Sequence, residues 1–337
     1  MQLVIERSES ARGRRPDPPP VFAAIDLGTN NCRLLVARPS AGSFRVIDAF
    51  SRIVRLGQGL SRSRTLEPAA MDRALGALRL CSAKMARRGV THGRAVATEA
   101  CRRATNGAEF VDRARNEAGI EIETISSEEE ARLALAGCAP LLDPGVDRAL
   151  VFDIGGGSTE IMWLALENGL RPRILDQISL PLGVVGLTET YGGDRISLSD
   201  FDTMIADISD ALAVFEYRNQ IRVQVARGRV QMLGTSGTVT TLAGIHLGLP
   251  RYERARIDGA YLMVDHARAV TRRLLALDFE GRAAYACIGR DRADLVVAGC
   301  AVLEAICDTW PVERLRIADR GLREGILLDL INAGPGA

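Results

Sequence analysis

Ala23-Ala24-Ile25-Asp26-Leu27-Gly28-Thr29-Asn30-Asn31 begins as an apolar strand, meets an aspartate and breaks into a turn of glycine, threonine and asparagine. A second apolar stretch follows at Leu34-Leu35-Val36-Ala37. The same order returns as Leu150-Val151-Phe152-Asp153-Ile154-Gly155-Gly156-Gly157-Ser158, followed by Ile161-Met162-Trp163-Leu164. Each unit continues into a third apolar run (Phe44 to Phe50; Arg173 to Ile178) and then a Leu-Gly pair, at Leu56-Gly57 and Leu182-Gly183. Strand, glycine turn, strand, strand therefore occurs twice. Gly and Asn tolerate the positive φ of tight hairpin turns, and such turns leave main-chain N–H groups pointing outward as a nest for phosphate. Two copies of one topology, facing each other, bring both turns to a shared cleft.

Between and after the copies the period becomes helical. Leu66 to Arg88 carries Leu75, Leu78, Ser82 and Met85 at three-to-four spacing, with Pro68 near its start. A strand at Gly93 to Thr98, a helix near Glu109 to Glu117, a strand at Ile120 to Ile125 and a helix from Glu128 to Cys138 follow. The second half reads as a helix near Ser199 to Tyr217, a strand from Arg229 to Leu233, and a third glycine turn, Gly234-Thr235-Ser236-Gly237-Thr238, opening a helix through Ala243. Helices at Asp265 to Leu277 and Asp291 to Asp308 precede the strand Leu315-Arg316-Ile317 and a last helix, Leu322 to Ile331. Alternating strands and helices predict an α/β protein.

The chain has 337 residues, 43 Lys+Arg against 42 Asp+Glu, and a hydrophobic content of 47%. That excludes collagen, coiled coil and wholesale disorder, and leaves room for two domains. With a net charge of +1, attraction for phosphate chains must come from local clusters of Arg. Seven cysteines without a C-x-x-C pair fit a reducing cytoplasm better than a disulfide framework. No apolar run is long enough to span a bilayer, and Arg14-Arg15 precedes a proline-rich stretch instead of an apolar core, so no membrane partner or export is expected. Residues 1–20 read as a Pro- and Arg-rich arm. Aromatics at 4% leave no stacking platform, so no nucleic-acid partner is expected.

Asp26 and Asp153 stand where an apolar strand meets its turn. Such aspartates commonly just accept turn amides, but two of them beside one cleft suit a cation better, because carboxylates near phosphate repel it unless Mg²⁺ intervenes. Asp153 and Glu160 are read as the metal-organising pair. Glu128-Glu129-Glu130 opens a helix; Ser127-x-x-Glu130 fits a capping box, and three acids exceed what capping needs, which makes a glutamate here a candidate general base. Gly234 to Thr238 follows a strand and opens a helix, so its amides suit a phosphate, although no Gly-Lys-Ser/Thr of a Walker motif follows. Arg102-Arg103, with Arg52, Arg55, Arg62 and Arg64, offers guanidinium for an anionic chain or plain solvated surface charge. The three histidines have no ligand spacing.

Ala24 to Asn30, Ala97-Thr98 through Arg102, Glu129-Glu130-Ala131-Arg132-Leu133, Asp153 to Glu160 and Gly234 to Thr238 together resemble the exopolyphosphatase and guanosine pentaphosphate phosphohydrolase family, in the family's order, over residues 21–330. The resemblance implies two actin-like (ribonuclease H-like) domains of duplicated topology with an interdomain cleft, here 21–146 and 147–312, with a strand and helix at 313–337 packing back on the first. It implies a cytoplasmic, Mg²⁺-dependent hydrolase that removes terminal phosphate from inorganic polyphosphate and works as a homodimer; guanosine pentaphosphate is the alternative substrate, and a nucleotide- or polyphosphate-sensing protein without hydrolysis is the alternative of another class. Glu130 is then the base, Glu160 and Asp153 position water or metal, and Arg102 contacts substrate. The phosphate-holding set is Thr29, Asn30, Asn31, Cys32, Arg33, Gly155, Gly156, Gly157, Ser158, Thr159, Gly234, Thr235, Ser236, Gly237 and Thr238. Glu99 and Asn31-Cys32-Arg33 differ from the Asn and Ser-Phe-His that are commoner at those positions. Longer members carry an additional helical C-terminal region and this sequence ends near the actin-like core, so processive gripping of long polymers is not expected from the resemblance.

Overall fold

The computed structural model describes residues 19–166 and 172–334; all but the last two residues of the expected arm lie outside them. Among the described residues eleven strands form two sheets. In the first, β1 (Phe22–Leu27), β2 (Asn31–Ser40), β3 (Ser43–Ile53), β4 (His92–Ala97) and β5 (Ile122–Thr124) take the order β3-β2-β1-β4-β5. In the second, β6 (Arg148–Ile154), β7 (Thr159–Ala165), β8 (Arg173–Leu180), β9 (Val230–Thr235), β10 (Tyr261–Met263) and β11 (Arg314–Ala318) take the order β10-β11-β9-β6-β7-β8.

The duplication is a property of pairing as well as of sequence. β1-β2-β3 and β6-β7-β8 are antiparallel meanders, and the first strand of each pairs in parallel with the strand after the first helical crossover, β4 or β9. Even the bulge repeats: the register slips between Val36 and Ala37 in β2 and between Trp163 and Leu164 in β7, at the same distance from Asp26 and Asp153. A bulge sharpens local twist, so both meanders bend at matching points.

Alternation along the strands decides which face meets which layer. Ala23, Ile25 and Leu27 of β1 join Leu34 and Val36 in a core beneath the helices Pro68–Arg88 and Gly107–Ala118. Phe22, Ala24, Leu35 and Ala37 face the other way, onto Ile326 and Leu327 of the helix Leu322–Ala333. In the second sheet Leu150, Phe152 and Ile161 pack under the helices Leu198–Asn219, Gly237–His246 and Val296–Thr309, while Val151, Met162 and Leu164 meet Ala131, Ala134 and Cys138 of the helix Ser127–Cys138. The helices Ser127–Cys138 and Leu322–Ala333 thus lie between the sheets. The terminal segment is divided: β11 is a member of the second sheet, and only the helix after it crosses to the first.

All seven cysteines are free and buried. Among the described residues no helix is long and apolar enough to cross a membrane.

Candidate active site

Both glycine turns close the same way. The Gly28 amide donates to the Asn31 carbonyl at 2.9 Å, and the Gly155 amide to the Ser158 carbonyl at 2.9 Å. The turn carbonyls are then taken from behind: Val54 and Arg55 donate to Asn30 O and Gly57 to Thr29 O, while Val184 and Val185 donate to Gly155 O and Gly156 O. This is what the repeated Leu-Gly pair does. A Cβ on Gly57 would stand 2.3 Å from Thr29 Cγ2, and one on Gly183 would stand 2.4 Å from Gly156, so each chain return needs glycine to reach its turn. With the carbonyls engaged, the amides of Thr29, Asn30, Gly156 and Gly157 donate to nothing among the described residues. The turns also touch: a Cβ on Gly156 would lie 3.1 Å from the Asn30 nitrogen, and one on Gly157 would lie 2.6 Å from Thr29 Oγ1.

These turns form one wall of a cleft of about 490 Å³ that is lined by Asp26, Arg33, Glu99, Glu130, Asp153, Glu160, Arg292, Asp319 and Arg323 among others. Asp26 pairs with Arg33 across β1–β2, and Asp153 with Glu160 across β6–β7. Neither aspartate accepts a turn amide, so the ordinary strand-end role does not account for them. Burial, then the neighbouring Glu160, raises Asp153 to about 7; burial likewise raises Asp26 and Glu160. Glu160 is oriented by two hydroxyls on one oxygen, Ser158 Oγ at 2.5 Å and Ser179 Oγ at 3.0 Å to Oε1.

Glu130 is aimed by a cap displaced one residue from expectation. Ser126, not Ser127, caps the helix, its Oγ accepting the Glu129 amide at 3.2 Å. Glu129 faces outward onto Arg94 and Arg132, and Glu130 turns into the cleft. Its Oε2 accepts Arg102 Nη1 at 2.9 Å, while Oε1 has no partner among the described residues. Burial and then Glu160 push its carboxyl well above the usual range, against the pull of Arg102.

Four expected contact residues lie elsewhere. Cys32 alternates with Asn31 and Arg33 along β2, so it faces the core, fully buried and 4.0 Å from Cys81 Sγ. Thr159 donates to the Leu182 carbonyl at 2.7 Å behind the second turn. Gly234 is packed on Phe152, whose Cζ would be 2.6 Å from a Cβ there. Arg102 is spent on Glu130, Glu99 and the Ile125 carbonyl instead of facing the cleft. The third turn is partly satisfied as well: Ser236 Oγ accepts the Thr238 and Val239 amides. Thr29, Asn30, Asn31, Arg33, Gly155 to Ser158, and Thr235 to Thr238 do line the cleft.

Sequence reasoning named Arg33 but missed the rest of the basic wall, Arg292 and Arg323. Arg33, Arg292 and Arg323 approach one another without an ion pair or hydrogen bond from their guanidinium groups among the described residues. Burial, with Arg33 adding to it, holds Arg292 and Arg323 below their ordinary range. Arg292 was expected inside a helix from Asp291, but the helix begins at Val296, and the preceding turns carry Arg292 to the cleft. Arg323 follows β11 and Gly321 at a helix start; this repeats the strand–glycine–helix junction after β9 and is the one local signal that pointed to it. Partly buried like charges that have acids nearby, Asp26, Asp319 and Glu324, but no direct ion pair are costly and suit an anion. Asn30 and Asn31 add buried side-chain oxygens without partners.

Among the described residues no three His, Cys, Asp or Glu side chains are grouped to hold an ion by themselves. Asp153 and Glu160, paired across two strands and mutually repelling, instead suit a hard cation that completes its shell with water and phosphate oxygens.

Two domains of duplicated sheet topology, clasping a cleft between paired glycine turns, define an actin-like fold. The family-level comparison agrees. A model of the Ppx/GppA phosphatase family matches residues 35–333, and the chain belongs to that family of phosphatase-type enzymes. It is similar to an exopolyphosphatase from Cytophaga hutchinsonii (25% identity, TM-score 0.83, 93% of this chain and 98% of that one). An exopolyphosphatase-like protein matches at 29% identity and TM-score 0.81, over 92% of this chain and 98% of the other. The Aquifex aeolicus family member matches at 26% identity and TM-score 0.75, over 95% of this chain and all of the other.

Proposed function

We propose that the protein is an exopolyphosphatase, hydrolysing the terminal phosphoanhydride bond of inorganic polyphosphate in the presence of Mg²⁺ and releasing orthophosphate. One observation carries this reading: a carboxylate with a free oxygen, Glu130, shares a cleft with three unpaired guanidinium groups and two sets of unused turn amides. The arginines and amides bind and orient a phosphate chain end, spreading the charge of its equatorial oxygens. Glu130 Oε1 accepts a proton from the attacking water while Arg102 holds Oε2. Its raised affinity for protons makes it a stronger base than an ordinary carboxylate. Asp153 and Glu160 are the residues that would hold Mg²⁺, and the bound ion supplies positive charge that offsets the repulsion between carboxylate and phosphate.

Guanosine pentaphosphate is the second reading. The cleft lining also includes Tyr252, Ile288, Leu295 and Val296, side chains against which a nucleoside would pack. Phosphate release from long-chain polyphosphate, guanosine pentaphosphate and ATP, each with and without Mg²⁺, tests the proposal. Release from polyphosphate supports it; release from guanosine pentaphosphate alone selects the second reading; no release from any of the three removes both.

A further inference from the structure

Arg102 sits among more acids than it needs. Its Nη1 donates to Glu130 Oε2 and the Ile125 carbonyl, each at 2.9 Å, and its Nη2 donates to Glu99 Oε2 at 2.9 Å. Glu99 is itself fixed. Its other oxygen lies 3.7 Å from Arg103 Nε, and its Cγ would be 3.0 Å from a Cβ on Gly157, so its stem is wedged against the second glycine turn. All three members of the group are largely buried, with side-chain exposures of 13% for Glu99, 16% for Glu130 and 19% for Arg102. Glu99 and Glu130 line the cleft and Arg102 does not.

We infer that Glu99 is a specificity-determining residue that acts through Arg102, holding the guanidinium on Glu130 and away from the substrate. Glu99 and Glu130 present their carboxylates on the cleft wall while their cationic partners, Arg102 and Arg103, do not line it, so this wall repels a phosphate chain and leaves its recognition to Arg33, Arg292 and Arg323. Without the Glu99 carboxylate, Nη2 loses its charged partner, one of the two negative charges on this wall is gone, and the guanidinium is freer to turn from Glu130 toward a bound phosphate. Glu99 thereby exchanges anion affinity for a firmly held base. The inference rests on the reading of Glu130 as the base.

The test is a double-mutant cycle read first as binding. Calorimetric titration with inorganic tripolyphosphate is compared for wild type, Glu99→Gln, Arg102→Ala and the double variant. Loss of one nearby negative charge at a partly buried site is expected to tighten tripolyphosphate binding by Glu99→Gln about fivefold to tenfold, and the gain is expected to vanish when Arg102 is already alanine. On a hydrolysed substrate, Glu99→Gln should lower KM and kcat together, since Arg102 then divides its time between phosphate and Glu130. Glu99→Asn, with a shorter side chain and the same charge, should give the same signs, and thermal unfolding reports that both variants fold. If neither variant binds tripolyphosphate more tightly than wild type, or if the gain survives in the Arg102→Ala background, the inference is overturned. A wild type that releases no phosphate, with Glu99→Gln still binding more tightly, instead removes the enzymatic reading and leaves the inference about Arg102 standing.

Discussion

At Glu130, stability and function pull in opposite directions. Burial and Glu160 favour the protonated acid, and Arg102 favours the carboxylate that catalysis requires. The folded protein therefore keeps a proton on Glu130 at pH values where the unfolded chain has lost it. That contribution to stability is complete below the ordinary glutamate range and is lost as pH rises through the raised value. Glu130→Gln, which cannot ionise, is expected to lower turnover on the order of 10²-fold or more with KM nearly unchanged. It should also melt no lower than wild type at pH 8, with the difference in its favour growing between pH 5 and pH 8. Wild-type activity should rise with pH along a limb lying above the normal carboxylate range, and that limb should be missing from the variant's residual activity. A variant with full turnover, or with the wild-type profile, removes Glu130 from the mechanism. The acidic half of the cleft was legible because Asp26, Asp153, Glu130 and Glu160 each sit inside a local pattern: strand to turn, or cap to helix. Of the basic half only Arg33 was, because it belongs to the first turn's own pattern. Arg292 comes from a turn and Arg323 from a helix start, both far along the chain, and an arginine in an Arg-rich sequence has little to distinguish it until the sheets bring it to the cleft.

At the scale of elements, the position of Glu130 depends on a close helix crossing. The helix Ser127–Cys138 passes the helix Leu322–Ala333 so tightly that a Cβ on Gly325 would lie 1.9 Å from the Leu133 carbonyl oxygen, and one on Gly137 would lie 2.0 Å from the Gly321 carbonyl oxygen. These are main-chain atoms, so a methyl group can be admitted only if one helix moves. Gly325→Ala should cost about 1–3 kcal/mol, the usual scale of an overpacked interior, and should lower kcat because the helix that shifts carries the base. A thermal midpoint and kcat equal to those of wild type would show that the crossing tolerates the methyl and does not set the site. Neither glycine was singled out by sequence, because a glycine inside a helical pattern gives no sign of what will cross it. The strand meanders were legible for the opposite reason: alternation and turn chemistry repeat within a short window. Cys32 was misjudged where that same alternation should have decided, since a residue between two cleft-facing neighbours on a strand faces the core.

For the whole molecule, the cleft is tied shut along one edge. The segment after β3 leaves the first turn at Val54 and Arg55, whose amides both donate to Asn30 O, and reaches the second domain. Arg55 makes a bidentate pair with Asp294, Nη1 to Oδ2 at 2.9 Å and Nη2 to Oδ1 at 3.1 Å. Glu189 accepts the Gly59 amide and the Ser61 hydroxyl, both at 2.7 Å. Arg55 holds a left-handed φ of 48° to make this reach, an uncommon conformation for a residue with a side chain. The opposite edge is held by the two packed helices, so the strap is the side that can release. Each of these part-buried contacts is still open to solvent on one side and contributes about 1 kcal/mol, so removing both should move a closed-to-open equilibrium by roughly fivefold to tenfold without unfolding either domain. The Asp294→Ala, Glu189→Gln double variant should show a larger radius of gyration by small-angle X-ray scattering in the absence of ligand, and a KM raised several-fold. Its kcat should not fall, because none of the groups at the phosphate has been touched. Salt that screens the Arg55–Asp294 pair should move wild type in the same direction and the double variant hardly at all. An unchanged radius of gyration with an unchanged KM would mean that the helix side alone fixes the domain angle, and that the strap's contacts follow closure instead of enforcing it.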